Sequence, residues 1–242
     1  MKVSALDVPV GGDLLAGQLV EPRTGIPGVL FVHGWAGSQE RDKKRARALA
    51  RLGVVSLTFD MRGHGSTADR LKSVTREENL HDICAAYDML ARQKRVDSEA
   101  IAVVASSYGA YLAVLAAARR PVRWLALRVP ALYRDDNWDV PKFELDRADL
   151  ARYRRSLIQP ETNLALRQCR QFEGDVLIVA SEHDEIVPHP AVASYLSAFI
   201  AARSVTYRII DNADHALSDP ESQRSYDQLL SNWLREMIFG AR

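Results

Sequence analysis

The chain has 242 residues, of which 47% are hydrophobic and 26% are charged, proportions typical of a folded globular protein and unlike those of disordered or fibrous chains. Because 32 basic residues face 31 acidic ones, the formal net charge is only +1, and we expect no overall attraction toward nucleic acid or an anionic membrane. Cys84 and Cys169 lie far apart, which indicates neither a disulfide framework nor a metal site.

The amino-terminal segment MKVSALDVPVGGDLL contains no apolar core of the kind found in signal peptides. No apolar run approaches the roughly 18 residues that a membrane span needs. We therefore expect a cytoplasmic protein that binds neither nucleic acid nor membranes. The sequence indicates no particular oligomeric state.

Short β-branched runs alternate with longer helical segments from residue 29 onward. Because most of the runs are continuously apolar, they are typical of parallel strands that are covered on both faces. The predicted strands span 29–32, 54–59, 101–105, 124–129, 176–180 and 205–210. The predicted helices span 40–52, 77–93, 108–119, 190–202 and 220–238. This alternation predicts an α/β fold with one parallel sheet between two layers of helices.

Two segments depart from this alternation. Residues 3–10 and 14–20 predict two short strands, and the Gly11-Gly12 pair between them is typical of a hairpin. Residues 130–172 are rich in arginine, aspartate and aromatic residues, and they predict two or more helices but no strand. Since this segment is too short for much core of its own, we interpret it as an insertion between two strands of the sheet.

The segment Ala105-Ser106-Ser107-Tyr108-Gly109 joins a predicted strand to a helix that is apolar on nearly every face and should therefore be buried. A tight turn from strand to helix lifts its middle residue out of the sheet and needs small residues two positions to either side. Ala105 and Gly109 meet this need if the turn is centred on Ser107, whereas a turn centred on Ser106 would place Tyr108 in the crowded position. Close packing alone could also explain the small residues. The other motifs therefore decide whether Ser107 is a candidate nucleophile.

This turn resembles the nucleophile elbow of the α/β-hydrolase family, Gly-x-Ser-x-Gly, with Ala105 in place of the first glycine. The segment FVHGWAG at 31–37 is similar to the family's His-Gly oxyanion loop. The resemblance covers essentially the whole chain. It implies that the backbone N–H groups of Trp35 and Tyr108 bind the oxyanion.

A third segment, DMRGHGS at 60–66, resembles the D-x-R-G-x-G-x-S turn of the same family, which is structural more than catalytic. We expect its His64, and His33 of the oxyanion loop, to stabilise loops without transferring protons. The remaining histidines that precede residue 200, His81, His183 and His189, lack any comparable context.

The acid and base of the family follow the serine along the chain in the order Ser, Asp or Glu, His. SEHDEIVP follows a predicted strand and resembles the acid loop, which makes Asp184 the candidate acid, with Glu182 and Glu185 as neighbours that could compete. His215 follows the last predicted strand, where the family carries its base. The resemblance therefore implies the catalytic triad Ser107, Asp184 and His215.

A serine nucleophile implies acyl transfer through a covalent acyl-enzyme, which water then hydrolyses. An aspartate at the elbow would have resembled dehalogenases and epoxide hydrolases, and a cysteine would have resembled dienelactone hydrolases. The sequence contains neither a Rossmann nor a P-loop fingerprint, so we expect no cofactor and no metal. The resemblance implies one α/β-hydrolase domain over 1–242, with a cap insertion at about 130–172.

Small caps of this length resemble those of cinnamoyl-type and other carboxylesterases, in which the cap selects the substrate. Among the aromatic residues of the insertion, we take Trp138 and Tyr133 as candidate substrate contacts. Three neighbouring arginines could recognise an acidic group of the substrate or form a solvated helix face: Arg152, Arg154 and Arg155.

We predict a serine hydrolase that cleaves small-molecule carboxylic esters. The Ser-Tyr-Gly sequence at the elbow also resembles peptidases of the prolyl-oligopeptidase type, which usually carry a large accessory domain, and a chain of 242 residues is not expected to hold one. Hydrolysis of a peptide, another amide or a thioester by the same triad remains the alternative, as does a non-catalytic binding protein.

Overall fold

The computed structural model describes residues 2–21 and 27–240. The parts of the predicted domain at 1, 22–26 and 241–242 lie outside the described residues. Eight strands form one sheet in the order β1-β2-β4-β3-β5-β6-β7-β8. They are Lys2–Val10 (β1), Asp13–Glu21 (β2), Gly28–Val32 (β3), Val55–Phe59 (β4), Ile101–Ser106 (β5), Trp124–Arg128 (β6), Asp175–His183 (β7) and Ser204–Asp214 (β8).

The pairing of the strands confirms both the parallel sheet and the amino-terminal hairpin. β1 and β2 are antiparallel, and β2 pairs antiparallel with β4. The other strands are parallel from β4 through to β8. The carboxyl ends of the parallel strands therefore meet at one edge of the sheet, where α/β folds place their sites.

Seven α-helices cover the sheet, and their bounds are Glu40–Leu49 (α1), Arg76–Ala91 (α2), Tyr108–Ala117 (α3), Arg147–Arg154 (α4), Leu164–Cys169 (α5), His189–Ala198 (α6) and Pro220–Gly240 (α7). Apolar residues of α1 and α7 pack on one face of the sheet, and those of α2, α3, α5 and α6 pack on the other. The first nine residues of α3 are all buried, which confirms the prediction of a central helix.

Two predicted helices are shorter than expected. The helix predicted at 190–202 ends at Ala198, because Phe199 leaves the helical conformation with ψ 56° before the chain enters β8. The helix predicted at 40–52 ends at Leu49 and tightens into a 3₁₀ turn, Ala50–Leu52, which Gly53 terminates with φ 77°. A glycine adopts this left-handed conformation without the steric cost that other residues have.

The last two strands are longer than predicted, and this positions the site. β7 extends to His183 and β8 to Asp214, and these two residues pair after an irregularity in the register. Asp184 and His215 are the residues that directly follow the two strand ends. The sheet therefore holds the candidate acid and the candidate base side by side.

The insertion contains α4, α5 and two 3₁₀ turns, Lys142–Glu144 and Pro160–Thr162, and none of the named strands falls within 130–172. In the described part of the chain, no helix is both long enough and apolar enough to cross a membrane. The cytoplasmic location stays a prediction.

Candidate active site

Ser107 lies at the turn between β5 and α3 and has φ 53° and ψ −116°. A residue other than glycine adopts this conformation at a cost of about 1–3 kcal/mol, which the surrounding structure must offset. The turn brings α3 very close to β3, since a Cβ added to Gly109 would overlap the carbonyl oxygen of His33. Only glycine therefore fits at position 109, as predicted for an elbow centred on Ser107.

Three side chains from three strand ends form one chain of hydrogen bonds. His215 Nε2 lies 3.0 Å from Ser107 Oγ, and His215 Nδ1 lies 2.7 Å from Asp184 Oδ2. Because a carboxylate only accepts hydrogen bonds, Nδ1 carries the proton and Nε2 is free to accept one from the serine hydroxyl. The structure therefore brings the three predicted residues together in the geometry that proton transfer requires.

The orientation of Asp184 is set by its own loop. Its Oδ1 accepts the backbone N–H of Ile186 at 2.9 Å and that of Val187 at 2.7 Å, and the side chain is only 3% exposed. The neighbouring Glu182 is exposed and instead accepts the N–H of Asn212 at 2.7 Å. The competing carboxylate therefore points away from His215.

Arg128 is a residue of the site that the sequence analysis missed. It ends β6, beside the elbow strand, and its guanidinium is buried. It donates to the carbonyl oxygen of His215 at 2.8 Å, which ties the base loop to the centre of the sheet. A charged residue at the carboxyl end of an otherwise apolar strand was the signal that could have identified it.

The loop that follows β3 lies directly against the elbow. A Cβ added to Gly34 would lie 3.3 Å from Ser107 Cβ, so the backbone at Trp35 passes close to the serine. Tyr108 is the first residue of α3, and its N–H therefore has no acceptor within the helix. The Trp35 and Tyr108 side chains pack edge to face with their ring centroids 5.4 Å apart.

Two buried histidines hold this loop, and neither contacts the triad. His64 Nε2 accepts the N–H of Ala36 at 3.0 Å, and His33 Nε2 accepts the N–H of Met61 at 3.1 Å. Burial, together with the neighbouring His33, lowers the pKa of His64 to about 4, and burial lowers the pKa of His33 as well. Both imidazoles are therefore neutral at pH 7 and act as hydrogen-bond acceptors for backbone groups, in agreement with the structural role predicted for them.

The turn after β4 is held by buried ionic side chains. Asp60 accepts the backbone N–H of Gln39 at 2.8 Å and its side-chain amide at 2.9 Å. Arg62 donates from Nε to Asp82 at 2.6 Å, and its backbone N–H donates to the same carboxylate at 2.8 Å. We call residues 33–39 and 60–66, together with Asp82, the loop framework.

The two residues of the insertion predicted to contact substrate, Tyr133 and Trp138, differ in their exposure to solvent. Tyr133 is only 3% exposed, and its ring packs on those of Tyr108 and Tyr111. Trp138 is half-buried and stacks on Tyr111 with their centroids 6.2 Å apart. These two residues belong to the wall beneath the insertion, and their role as substrate contacts stays a prediction.

The three predicted arginines of the insertion separate into two environments. Arg152 and Arg155 are exposed, which is the solvated arrangement considered above. Arg154 is buried and donates from Nε to the carbonyl oxygen of Leu132 at 3.0 Å and from Nη1 to that of Ile186 at 3.3 Å. The insertion is therefore joined to the acid loop through Arg154. Two further cations near the site, Arg76 and Lys142, were not identified from the sequence.

Residues 2–21 and 27–240 contain no group of histidine, cysteine, aspartate or glutamate side chains that could hold a metal ion. Both cysteines are free and buried. The groups that meet at the site are the serine hydroxyl, the imidazole and the carboxylate.

Comparison with solved structures identifies the fold. A dienelactone hydrolase from Anabaena variabilis superposes with a TM-score of 0.71 at 21% identity, covering 98% of each chain. Est1E from Butyrivibrio proteoclasticus, solved with ferulic acid bound, superposes with a TM-score of 0.74 at 20% identity, covering 97% of this chain and 99% of that one. The sheet and its helices are those of the α/β-hydrolase fold, as predicted.

Comparison of sequences identifies the family to which the chain belongs. The sequence model of the prolyl oligopeptidase family matches residues 41–240. An uncharacterized protein of Mycobacterium tuberculosis (strain CDC 1551 / Oshkosh) is 32% identical over 198 residues, which are 81% of this chain and 64% of that relative. The chain therefore spans less than two thirds of the length of this relative. It belongs to the prolyl oligopeptidase family and has the α/β-hydrolase fold.

Proposed function

We propose that this chain is a serine hydrolase that cleaves carboxylic esters of small molecules through an acyl-enzyme. The observation that carries the proposal is the continuous chain of hydrogen bonds from Ser107 through His215 to Asp184. Such an arrangement activates a hydroxyl group that would otherwise be a weak nucleophile.

In the first half of the reaction, Ser107 Oγ attacks the carbonyl carbon of the ester while its proton passes to His215 Nε2. The carbonyl oxygen becomes an oxyanion, for which the N–H groups of Trp35 and Tyr108 are the proposed donors. The C–O bond to the leaving group then breaks, and the proton on Nε2 passes to the departing alkoxide. The product is an acyl-serine and a free alcohol.

In the second half, water attacks the acyl-serine while its proton passes to His215 Nε2. Collapse of this second tetrahedral intermediate releases a carboxylic acid and returns the proton to Ser107 Oγ. Asp184 keeps the imidazole in the required tautomer and stabilises the imidazolium that forms twice in the cycle. Arg128, which holds the carbonyl oxygen of His215, would position the base.

Hydrolysis of a small peptide or another amide is the second candidate, and membership of the prolyl oligopeptidase family favours it. The same triad would serve both reactions, but an amine is a poorer leaving group than an alcohol and needs more help from the acid. Because an ester makes the smaller demand on the acid, we place ester hydrolysis first.

Ser107→Ala tests the proposal with p-nitrophenyl acetate, butyrate and octanoate as substrates. We expect the parent to hydrolyse at least one ester and the variant to lose at least about 10³-fold in kcat/KM, the loss typical when a triad member is removed. Ser106→Ala is the matched control, because it deletes the adjacent hydroxyl and leaves the elbow in place. Equal rates for the parent and Ser107→Ala would refute the proposal.

The corresponding p-nitroanilides distinguish the two candidates. If the parent cleaves an anilide at a rate comparable with that of its ester, and Ser107→Ala abolishes both, the chain is an amidase or peptidase. Cleavage of the ester alone supports the first candidate.

A further inference from the structure

Three cationic side chains converge on the ring of Tyr133, and we call Arg76, Lys142 and Arg154 the cation cluster. The distances to the centroid of that ring are 5.7 Å from Arg76 Cζ, 5.5 Å from Lys142 Nζ and 4.7 Å from Arg154 Cζ. The Tyr133 ring in turn packs edge to face on that of Tyr108 at 5.6 Å. The cluster is thus one aromatic layer away from the elbow.

Lys142 is the member nearest to the oxyanion loop. Its Nζ lies 4.4 Å from the ring centroid of Trp35 and 5.6 Å from that of Tyr108. These are the two residues whose backbone N–H groups are the proposed oxyanion donors. The backbone of Lys142 is held in place, because its N–H donates to the carbonyl oxygen of Val74 at 2.9 Å. The ammonium group therefore lies against the side chains of both of these residues.

The two arginines are buried, and within the part of the chain that the structure describes neither has a carboxylate partner. Arg76, 1% exposed, donates to the backbone carbonyl oxygens of Arg134 and Asp136 and to the hydroxyl of Tyr111. Arg154, 7% exposed, donates to two carbonyl oxygens. Each still has one buried nitrogen with no acceptor: Nε of Arg76 and Nη2 of Arg154. Backbone carbonyls thus solvate these charges only in part.

Lys142 has no partner of opposite charge in the ranges 2–21 and 27–240, where its neighbours are aromatic rings. Burial lowers the pKa of its ammonium group to about 8, and the charges of Arg154, Arg147 and Arg76 lower that pKa in the same direction. The folded chain therefore holds a lysine charge that its surroundings disfavour. A bound anion would offset this cost.

A cavity of about 430 Å³ reaches the cluster at Arg76 and Tyr133. Leu145 and Leu150 line it with apolar surface, and its charged lining residues are three arginines and three aspartates. One of the acidic residues at this cavity, Asp149, is already paired with Arg134 at 2.8 Å. The cavity therefore borders the cluster on the side of Arg76, and its lining includes neither Lys142 nor a residue of the proposed triad.

We propose that Lys142, supported by Arg76 and Arg154, is a specificity-determining residue that binds a carboxylate of the substrate beside the elbow. The proposal rests on the hydrolase function proposed above, and it makes an ester with one free carboxylate the preferred substrate. The carboxylate can belong to the acyl part or to the leaving group, since the same ammonium group recognises both.

Two matched pairs of esters distinguish these sources. For the acyl part, p-nitrophenyl hydrogen adipate is compared with its methyl ester. For the leaving group, 4-acetoxyphenylacetate is compared with its methyl ester. We expect the parent to favour the anionic member of at least one pair, and Lys142→Met to reduce that ratio of kcat/KM about 10-fold or more, as loss of a charged hydrogen bond does.

Two control variants accompany this measurement. Lys142→Arg keeps a cation at the site and should recover most of the preference. Lys72→Met removes an exposed ammonium group that lies 5.8 Å from the ring of Phe143, so it should keep the ratio of the parent. If Lys142→Met changes both members of each pair by the same factor, or changes neither, the proposal is overturned.

Calorimetric titration with glutarate separates this proposal from the proposed function. If the parent hydrolyses none of the esters, the proposed ester hydrolysis is refuted. The proposed carboxylate binding by Lys142 is then tested by the titration alone. Binding of glutarate to the parent, and at least 10-fold weaker binding to Lys142→Met, supports the carboxylate site in that case. Absence of binding to the parent overturns it.

Discussion

The loop framework and the cation cluster both hold charged groups largely away from water, but they differ in whether these groups have partners within the chain. In the framework, Arg62 is paired with Asp82, Asp60 accepts two hydrogen bonds from Gln39, and His64 is neutral. In the cluster, none of the three cations has a carboxylate partner among residues 2–21 and 27–240. A buried charge without a partner is costly, so a fold keeps one mainly where something else uses it.

This difference assigns two roles: the loop framework supports the site, and the cation cluster is the surface proposed to recognise a ligand. The charged and imidazole side chains of the framework complete their hydrogen bonds within the chain, and only the backbone N–H of Trp35 is proposed to meet a ligand. The charges of the cluster are to be balanced by the proposed ligand. Two of its three members, Arg76 and Lys142, were not identified from the sequence. Three measurements test this contrast.

The largest effect is expected where a pair of the framework is broken. Asp82→Asn preserves shape but removes the charge that faces Arg62, and we expect the free energy of unfolding to fall by about 3 kcal/mol, measured by urea denaturation. Asp88→Asn, on the same helix, is the matched control. Its bidentate pair with Arg120 is partly exposed, and its loss should cost less than about 1 kcal/mol. Equal losses in the two variants would contradict the distinction.

The second effect is a dependence of stability on pH that originates at His64. The pKa of this imidazole falls from 6.5 in the unfolded chain to about 4 in the folded one, so between these values the unfolded chain binds more protons. The stabilisation is fully present above pH 6.5 and is lost as the pH falls toward 4, amounting to about 3 kcal/mol at most. His64→Gln should remove this share of the slope in urea unfolding series across that range.

His81→Gln, which removes an exposed imidazole, is the control for that series. The slope that remains in His64→Gln includes the contribution of His33, whose pKa is lowered by burial. If the parent and His64→Gln show the same slope, the neutral role of His64 in holding Ala36 is wrong.

The smallest effect has the opposite sign and concerns the cluster. Because Lys142 carries a charge that its neighbours disfavour, Lys142→Met should leave the stability of the unliganded chain unchanged or raise it by up to about 1 kcal/mol at pH 6.5. Urea denaturation at that pH measures this change. Destabilisation by more than 1 kcal/mol would mean that the ammonium group serves the packing of the aromatic rings and is not held for a ligand.

The sequence alone predicted the fold and the three residues that the structure joins by hydrogen bonds, Ser107, Asp184 and His215. Small residues around Ser107, a continuously apolar helix after it, and an aspartate and a histidine after later strands are local patterns, and each has a local physical cause. A parallel sheet then aligns its carboxyl ends, so correct strands already bring Ser107, Asp184 and His215 to one edge. Even the choice of Asp184 over Glu182 followed from the loop pattern.

Only the tertiary structure decided which charged residues are free to recognise a ligand. Arg76 begins a helix and Lys142 lies in the insertion, 66 positions later, and nothing local marks Arg76 as buried or Lys142 as lacking a counter-charge. Of the three neighbouring arginines in the insertion, Arg154 is buried because it packs against Tyr133, whereas Arg152 and Arg155 are exposed. Burial and the absence of a counter-charge are properties of a position in space, and they arise only when distant segments pack together.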